Sequence, residues 1–387
     1  MKVLMPVGGF PTEDHPQSGV FNETAAKQIS AEVELTVVHF RYWKLGRKLI
    51  STEEKDNFIY KQVCIPTIPR LHENWSKFHF FWYSLLIRLL LKKELRGSQI
   101  VHCVQGEIGL WFSLAKKGHS FKLLTQFIGT DLVSELKEHR CKPWIKNWVN
   151  NLDSASFNSK MLKNLFASYY PQFSKPEYVV YRGCDINRFK PTEEKKENEE
   201  MIFFFLGGLA NYKMAEGRNV KGGVDLLYAW KQYKDEGGKG KLIFAGADSL
   251  AEVAREIVDS AKLEDIDYLG PLNKDKVLEN YRLSDVVIIP SRQDGLPNVS
   301  YEAQASGNPV IGARVGGIPE SVANKETGLL FESGNIQELV DCIRLLEENR
   351  ELFDRMSTNA RERAVSQLDS TDFGKNYKKI YDELCAE

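Results

Sequence analysis

Pro290-Ser-Arg-Gln-Asp294-Gly-Leu-Pro-Asn-Val-Ser-Tyr-Glu302-Ala-Gln-Ala-Ser-Gly307-Asn-Pro309 is the stretch that decides the fold. Before it, Asp285-Val-Val-Ile-Ile289 is an apolar run long enough for one fully buried strand. After it, Tyr301 to Ser306 reads as helix, with Asn298 or Ser300 to cap its start and Gly307 to stop it. Pro309-Val-Ile-Gly312 then reads as the next strand. The order strand, loop, helix, strand puts the loop at the carboxyl end of a parallel strand, where open α/β sheets bind ligands. The helix start would leave the N–H groups of Val299, Ser300 and Tyr301 free to meet a phosphate. Asp294 and Glu302 flank those amides, and carboxylates accept hydrogen bonds from sugar hydroxyls. A ligand with phosphates in the middle and sugars on both sides, a nucleotide-sugar, suits that arrangement.

The stretch resembles the signature of the retaining glycosyltransferases of family 4 (glycosyl transferases group 1). Its pattern is two acids separated by seven residues, then Ala-x-Ala-x-Gly-x-Pro-Val. Here it reads Asp294-x7-Glu302, then Ala303-Gln-Ala305-Ser-Gly307-Asn-Pro309-Val310. Downstream, Val315-Gly-Gly-Ile-Pro-Glu320 and Thr327-Gly-Leu-Leu330 also match the family's pattern. The first acid is Asp where the family has Glu, one methylene shorter. The resemblance implies the GT-B fold: two Rossmann-like α/β domains with a donor cleft between them and a last helix that crosses back to the first domain. On that reading residues 1–185 form the acceptor-side domain, joined by a helix at about 370–387. Residues 186–369 form the donor domain.

Composition agrees with an ordinary globular protein of two or three domains: 387 residues, 27% charged and 42% hydrophobic. The net charge of −1 argues against a nucleic-acid partner. Residues 1–185 hold 25 Lys and Arg against 17 Asp and Glu, while the remainder holds 27 against 36. A basic first half could face anionic lipid or a phosphate-bearing acceptor; two globular domains with unremarkable surfaces would look the same. The six cysteines are scattered, with no CxxC pair, and read as reduced cytosolic thiols. Met1-Lys-Val-Leu-Met-Pro-Val7 reads as a first strand rather than a targeting segment, and no apolar run is long enough to span a bilayer. The expected location is cytoplasmic, with contact at the inner membrane face through the basic domain as an option.

Along the chain, the first strand meets Gly8-Gly9, and Ser18-Gly19-Val20 leads into a helix to about Ser30. Glu34–Phe40 is the second strand and residues 41–74 read as irregular. A helix over Trp75–Glu94 is apolar nearly all round with basic ends. It reads first as a helix sandwiched between the sheet and its neighbours. The alternative is a surface helix touching membrane with Trp75, Phe78, Phe81 and Trp82 and anchored by Arg88, Lys92 and Lys93. Strands come next at Ile100–Val104, Lys122–Phe127, Ala155–Phe157 and Tyr178–Tyr181. In the second half they recur near Lys241, Ile266, Asp285, Pro309 and Gly328, alternating with helices, so that sheet is parallel and covered on both faces.

The resemblance carries roles onto further residues. Gly19 takes the place of the family's glycine against the donor diphosphate. Phe127-Ile128-Gly129-Thr-Asp131 resembles its His-Gly-Thr-Asp, with Ile128 in place of the His. His102 and His119 read as structural rather than as substitutes. Leu206-Gly207-Gly208 opens a long loop that ends in Lys221-Gly222. Lys221 matches the family's phosphate-gripping Lys, and its companion Arg, absent at Gly208, is assigned to Arg218. Glu302 would hold the ribose, Asp294 the donor sugar and the backbone near Leu272 the base. Gly295, Leu296, Pro297, Asn298, Val299 and Ser300 would line sugar and phosphates. Asp265-Ile-Asp267 reads as a turn entering a strand, not a metal-binding DxD, so no metal and no cofactor are expected. The implied activity is metal-independent, retaining transfer of a hexose-type sugar from a nucleotide-sugar (UDP first, GDP second) to a glycan or lipid-linked acceptor. The competing readings are a degenerate nucleotide-sugar-binding subunit and a sugar-nucleotide epimerase of the same fold.

Overall fold

Lys2-Val-Leu-Met-Pro-Val7 forms the strand β1, buried at every position but the first, as expected for a central parallel strand covered on both faces. The computed structural model of the chain describes residues 1–15, 18–66, 76–192, 199–209, 220–247, 254 and 265–386. The chain divides into two units, Met1–Arg182 with Thr371–Glu387, and Gly183–Ser370.

The first unit is built on β1, β2 (Glu34–Tyr42), β3 (Ile50–Lys55), β4 (Phe58–Ile65), β5 (Ile100–Val104), β6 (Lys122–Phe127), β7 (Ser154–Phe157) and β8 (Glu177–Val179). Their order is β3-β4-β2-β1-β5-β6-β7-β8. Every pair is parallel except β3 with β4. The chain leaves β1 toward β2 on one side and returns to β5 on the other, which makes a topological switch point at their carboxyl ends. The β3–β4 hairpin corrects the irregular reading of 41–74. Lys55 pairs with Phe58, so the turn is Asp56-Asn57, with Asp56 at φ 44. Asp and Asn are turn residues that tolerate the left-handed region, so the pair is a weak turn signal in the sequence.

Helix α1 (Val20–Ser30) follows β1. The apolar helix is α2 (Lys77–Leu90), capped by the Ser76 hydroxyl, which accepts from His79 N at 3.1 Å. It runs on into α3 (Lys92–Gly97), and α4 (Gly106–Ala115) follows β5. The inner face of α2 (His79, Phe80, Tyr83, Ser84, Ile87) is buried against the core, but Phe78, Phe81, Leu85 and Leu89 are exposed. The sandwiched reading therefore describes one face only; Trp75 lies outside the described residues. The final helix, Asp372–Ala386, belongs to this unit. Its Tyr381 hydroxyl meets His102 Nδ1 at 2.7 Å, its Tyr377 hydroxyl meets Ser156 Oγ at 3.2 Å, and both rings are fully buried.

The second unit carries β9 (Ile202–Leu206), β10 (Lys241–Ala245), β11 (Ile266–Gly270), β12 (Val286–Ile289), β13 (Val310–Ala313) and β14 (Gly328–Phe331). They are all parallel, in the order β11-β10-β9-β12-β13-β14. That is the doubly wound order, and its switch point lies between β9 and β12. Phe203 and Phe205 point into one core with Trp230 and Tyr233, Phe204 into another with Tyr281 and Ile289. The period of two along β9 thus buries both faces of the sheet.

Candidate functional site

At the carboxyl ends of β9 and β12 the chain brings Lys221 and Asp294 together. Lys221 Nζ lies 2.7 Å from Asp294 Oδ2, across 73 positions of sequence. Ser291 Oγ also donates to Asp294 Oδ2 at 3.3 Å. The carboxylate is 10% exposed and the lysine 48%, so the ammonium keeps part of its hydrogen-bonding capacity toward solvent. The pair, with Leu206, Ser291, Pro297 and Val299, borders a small cavity of about 20 Å³ at the switch point.

Close backbone approach sets this geometry. Gly222 sits at φ 74, caps the helix Gly223–Asp235, and lies so near Pro290 that a Cβ would fall 1.8 Å from its carbonyl oxygen. Arg292 N donates to Val220 O at 2.8 Å, so the Lys221 loop and the Asp294 loop are laced together. On the other side, Gly316 and Gly317 press against Asp294 and Gly295: a Cβ on Gly316 would meet Asp294 O at 1.7 Å, and Gly317 N donates to Gly295 O at 2.6 Å. The Val315-Gly-Gly motif is thereby a brace for the acid's backbone.

The helix after this loop spans Asn298–Ala305, with Pro297 as its N-cap. It begins three residues before the expected Tyr301, and neither Asn298 nor Ser300 caps it through a side chain. The correction has a simple cause. Pro297 presets the φ of the residue entering the helix, and the Ser300 hydroxyl turns back to donate to Pro297 O at 2.9 Å. Ser300 N also donates to Pro297 O, at 3.1 Å. Helix geometry then leaves the N–H groups of Asn298 and Val299, rather than those of Val299 to Tyr301, without an intrahelical acceptor.

Glu302 stands in the second turn and is half-buried. Its Oε2 accepts from the Tyr281 hydroxyl at 3.0 Å. Burial pushes its pKa above the usual carboxylate range, opposed by the Tyr281 hydrogen bond and the Arg188 charge. Leu272 lies just past β11, partly buried. Gly295 and Leu296 are half-buried, Pro297 buried and Asn298 exposed.

Three arginines escape a reading of the sequence. Arg361 donates through Nη1 to Ala305 O, Ile186 O and Phe189 O at 2.6, 3.1 and 3.0 Å, and so fixes the carboxyl end of the signature helix. Arg292 is bidentate on Asp225, a buried acid in the first turn of the helix Gly223–Asp235. Arg188 holds Asp275 at 3.0 Å and bears on Glu302. No local pattern marks them, because their partners lie 56 to 175 positions away in the chain. Arg218 lies outside the described residues. Gly208 could not carry the family's Arg in this backbone, since a Cβ there would fall 2.2 Å from Ala247 O. Asp265 enters β11 as a turn, ion-paired to Lys234 at 2.7 Å.

In the first unit, Gly19 caps α1 directly against Gly9, and the buried Asn22 Nδ2 donates to Gly9 O at 2.7 Å. Asp131 is buried, and its carboxylate accepts from the N–H groups of Gly106, Ile128, Gly129 and Leu132 at 2.9–3.3 Å. It therefore holds the Gly129 loop to the start of α4 and leaves no lone pair aimed outward. Ile128 packs into the core, His102 is wholly buried with its pKa lowered to about 3 by desolvation, and His119 lies in the loop before β6. Beside these, the carboxyl ends of β1, β2, β4 and β5 surround an open cavity of about 390 Å³. Arg41, Lys44 and Arg47 give it a cationic wall, Tyr83 and Trp111 an aromatic one, and Glu107 an acid.

Two acids, a cation and a helix start therefore lie on the elements around one switch point, as the signature's order of strand, loop and helix requires. Residues 187–363 match the family described as Glycosyl transferases group 1. The second unit thus matches the group 1 glycosyltransferases. The chain is 27% identical over 332 residues to an uncharacterized glycosyltransferase of Methanocaldococcus jannaschii, spanning 84% of this chain and 86% of that one. It is 37% identical to a D-inositol 3-phosphate glycosyltransferase of Corynebacterium efficiens over 233 residues, 56% of this chain and 53% of that one. Its fold is similar to that of Anabaena HepE in complex with UDP-glucose, with a TM-score of 0.71 at 16% identity over 99% of this chain and 100% of the other. Among the described residues, no helix is long and apolar enough to cross a membrane.

Proposed function

We propose that this protein is a group 1 glycosyltransferase, a metal-independent retaining hexosyltransferase taking a hexose-type sugar from a nucleotide-sugar, UDP-linked first and GDP-linked second, to a glycan or lipid-linked acceptor. The observation that carries the reading is the Lys221–Asp294 pair at the switch point of the second sheet, beside the start of the helix Asn298–Ala305. Glu302 accepts from the ribose hydroxyls, Asp294 from the donor sugar, and the backbone near Leu272 meets the base. The donor diphosphate lies against the Asn298 and Val299 N–H groups and Lys221, with Arg218 as the second cation.

In the reaction the bond between the anomeric carbon and the β-phosphate oxygen breaks, and its electron pair leaves with the phosphate. The acceptor hydroxyl oxygen bonds to the same face of that carbon, and its proton passes to the departing phosphate oxygen. Lys221 and the helix amides balance the charge that grows there, the task a metal ion performs in other transferases. The structure of HepE with UDP-glucose supports the choice of donor class.

Thermal denaturation with UDP-, GDP- and ADP-sugars, followed by assay for sugar release, tests the reading. A higher melting temperature with a UDP-sugar and turnover that survives EDTA are expected. Binding without hydrolysis or transfer would make the chain a degenerate subunit, and donor conversion without acceptor would make it an epimerase. Loss of turnover on chelation, restored by Mg²⁺, would overturn metal independence.

A further inference from the structure

We propose that the outer face of α2 and the loop 42–49 dock on a bilayer surface that bears anionic headgroups. On a helix that turns 100° per residue, Phe78, Phe81, Leu85 and Leu89 share one stripe roughly 80° wide. The stripe lies opposite the buried residues Phe80, Tyr83, Ser84 and Ile87. Phe78 is 56% exposed, Phe81 61% and Leu89 65%. Such side chains normally close a core, and here the core is already closed by the other face of the same helix.

The loop Tyr42-Trp-Lys-Leu-Gly-Arg-Lys-Leu49 continues this surface. Leu45 is 92% exposed, and Tyr42, Trp43 and Leu49 are exposed with it. The two segments are neighbours: Trp43 N donates to Ile65 O at 2.9 Å, and the next carbonyl, Pro66 O, accepts from Trp82 Nε1 at 3.4 Å. Eight of the large hydrophobics exposed among the described residues fall in these two segments.

Charge selects the occupant. Residues 42–49 and 77–96 contain eight Lys and Arg against one acid, Glu94, which is ion-paired to Lys61. Arg88, Lys92, Lys93 and Arg96 are exposed on α2 and α3, and Lys44 and Lys48 on the loop. A two-fold dimer through this face would set those cations against each other. Aromatic and leucine side chains at the acyl boundary, with Lys and Arg reaching the headgroups, are the pattern of an interfacial helix.

The surface also has a position relative to the cavity of the first unit. Tyr83 on the inner face of α2 and Tyr42, Lys44 and Arg47 on the loop all line it. Docking would hold the cavity mouth at the headgroup level, where an acceptor with a lipid tail presents its polar end; this last step rests on the glycosyltransferase reading.

The experiment is co-sedimentation of the full chain with vesicles of phosphatidylcholine alone or containing phosphatidylglycerol. Sedimentation with the anionic vesicles only, reversed by high salt, is expected. Alanine at Arg88, Lys92 or Lys93 should lower the partition constant by on the order of fivefold per side chain. The variant Phe78→Ser/Phe81→Ser should lower it more than tenfold, as about two phenyl rings leave the acyl boundary. Equal binding to both vesicles, none to either, or no change in the variants would overturn the proposal. So would a concentration-dependent dimer in ultracentrifugation that Phe78→Ser/Phe81→Ser dissociates, since the occupant would then be a second copy. The nucleotide-dependent rise in melting temperature should survive in these variants. Its absence in the wild type would sink the donor assignment while leaving the lipid result standing.

Discussion

In the second unit a Cβ on Gly222 would fall 1.8 Å from a carbonyl oxygen, whereas the matching end of the first sheet encloses an open cavity of about 390 Å³. One region is backbone laid against backbone, with Gly222, Gly316 and Gly317 at the closest approaches. The other is walled by long side chains, Arg41, Lys44, Arg47 and Tyr83, that can change rotamer. Backbone fixed in this way cannot adapt, so it suits a group of constant chemistry such as a diphosphate. Side-chain walls can be rebuilt residue by residue, which suits an acceptor that differs from one enzyme to the next. On the proposed reading the donor end is rigid and the acceptor end adjustable.

Gly222→Ala tests the rigidity and should have the largest effect. The residue combines φ 74 with a neighbouring carbonyl inside contact distance, so the Lys221 loop or Pro290 must move. A loss of roughly 3 kcal/mol in urea denaturation, with donor turnover abolished, is expected. Wild-type stability and turnover would show that the loops are loosely held after all.

Lys221→Ala removes the cation and leaves the backbone in place. Turnover should fall about 30- to 1,000-fold, roughly 2–4 kcal/mol of transition-state stabilisation. Stability should fall by no more than about 1 kcal/mol, because Lys221 is 48% exposed and the Ser291 hydroxyl still donates to the Asp294 carboxylate. A variant that keeps its rate would mean that the ion pair only locks the loops. Adding Arg218→Ala should then cost less than the product of the single losses if both cations act on one leaving group.

Glu302→Ala should weaken free nucleotide binding by roughly 1.5–3 kcal/mol, about tenfold to a hundredfold, read by calorimetry. Unchanged affinity would remove Glu302 from the ribose.

Asp294 and Glu302 can be read from the chain because the signature is contiguous: strand, acid, helix start, second acid and stop glycine all fall between Asp285 and Gly307. The doubly wound order of the second sheet is legible for a related reason, since each buried strand is a short apolar run. The first unit is less so. Ile50-Ser-Thr-Glu-Glu-Lys55 is mostly exposed as a strand, so no apolar alternation marks it, and only Asp56-Asn57 hints at the turn. The start of the signature helix is hard to place because its N-cap is Pro297, which offers no side-chain acceptor. Asp131 carries a motif-derived role that burial explains otherwise, as an anchor for four backbone N–H groups. The Arg361 bonds to Ala305 O and Phe189 O depend on a helix that arrives long after the loop it fixes, and no window of sequence contains both partners.

Tyr281→Phe should have the smallest effect and probes the donor end most finely. The ring is fully buried, so the phenyl group keeps its packing, while the hydrogen bond from the hydroxyl to Glu302 Oε2 is lost. Burial raises the pKa of Glu302, and that hydrogen bond, together with the Arg188 charge, restrains the rise. Removing it must move the pKa of Glu302 further up. Only the carboxylate can accept from two ribose hydroxyls, so nucleotide affinity falls as pH drops through the raised pKa of Glu302. In Tyr281→Phe that acid limb should begin at a higher pH, with affinity close to wild type well above it. The sign for stability is opposite. A carboxyl with a raised pKa stabilises the folded chain while protonated, and that contribution is lost as pH rises through its folded value. Glu302→Gln should therefore flatten both dependences, gaining relative stability at alkaline pH while losing nucleotide affinity. Calorimetric titrations with UDP across pH, on wild type, Tyr281→Phe and Glu302→Gln, read all three. An acid limb that stays in place in Tyr281→Phe would mean that another group titrates there, and the ribose contact would have to be sought elsewhere in the second unit.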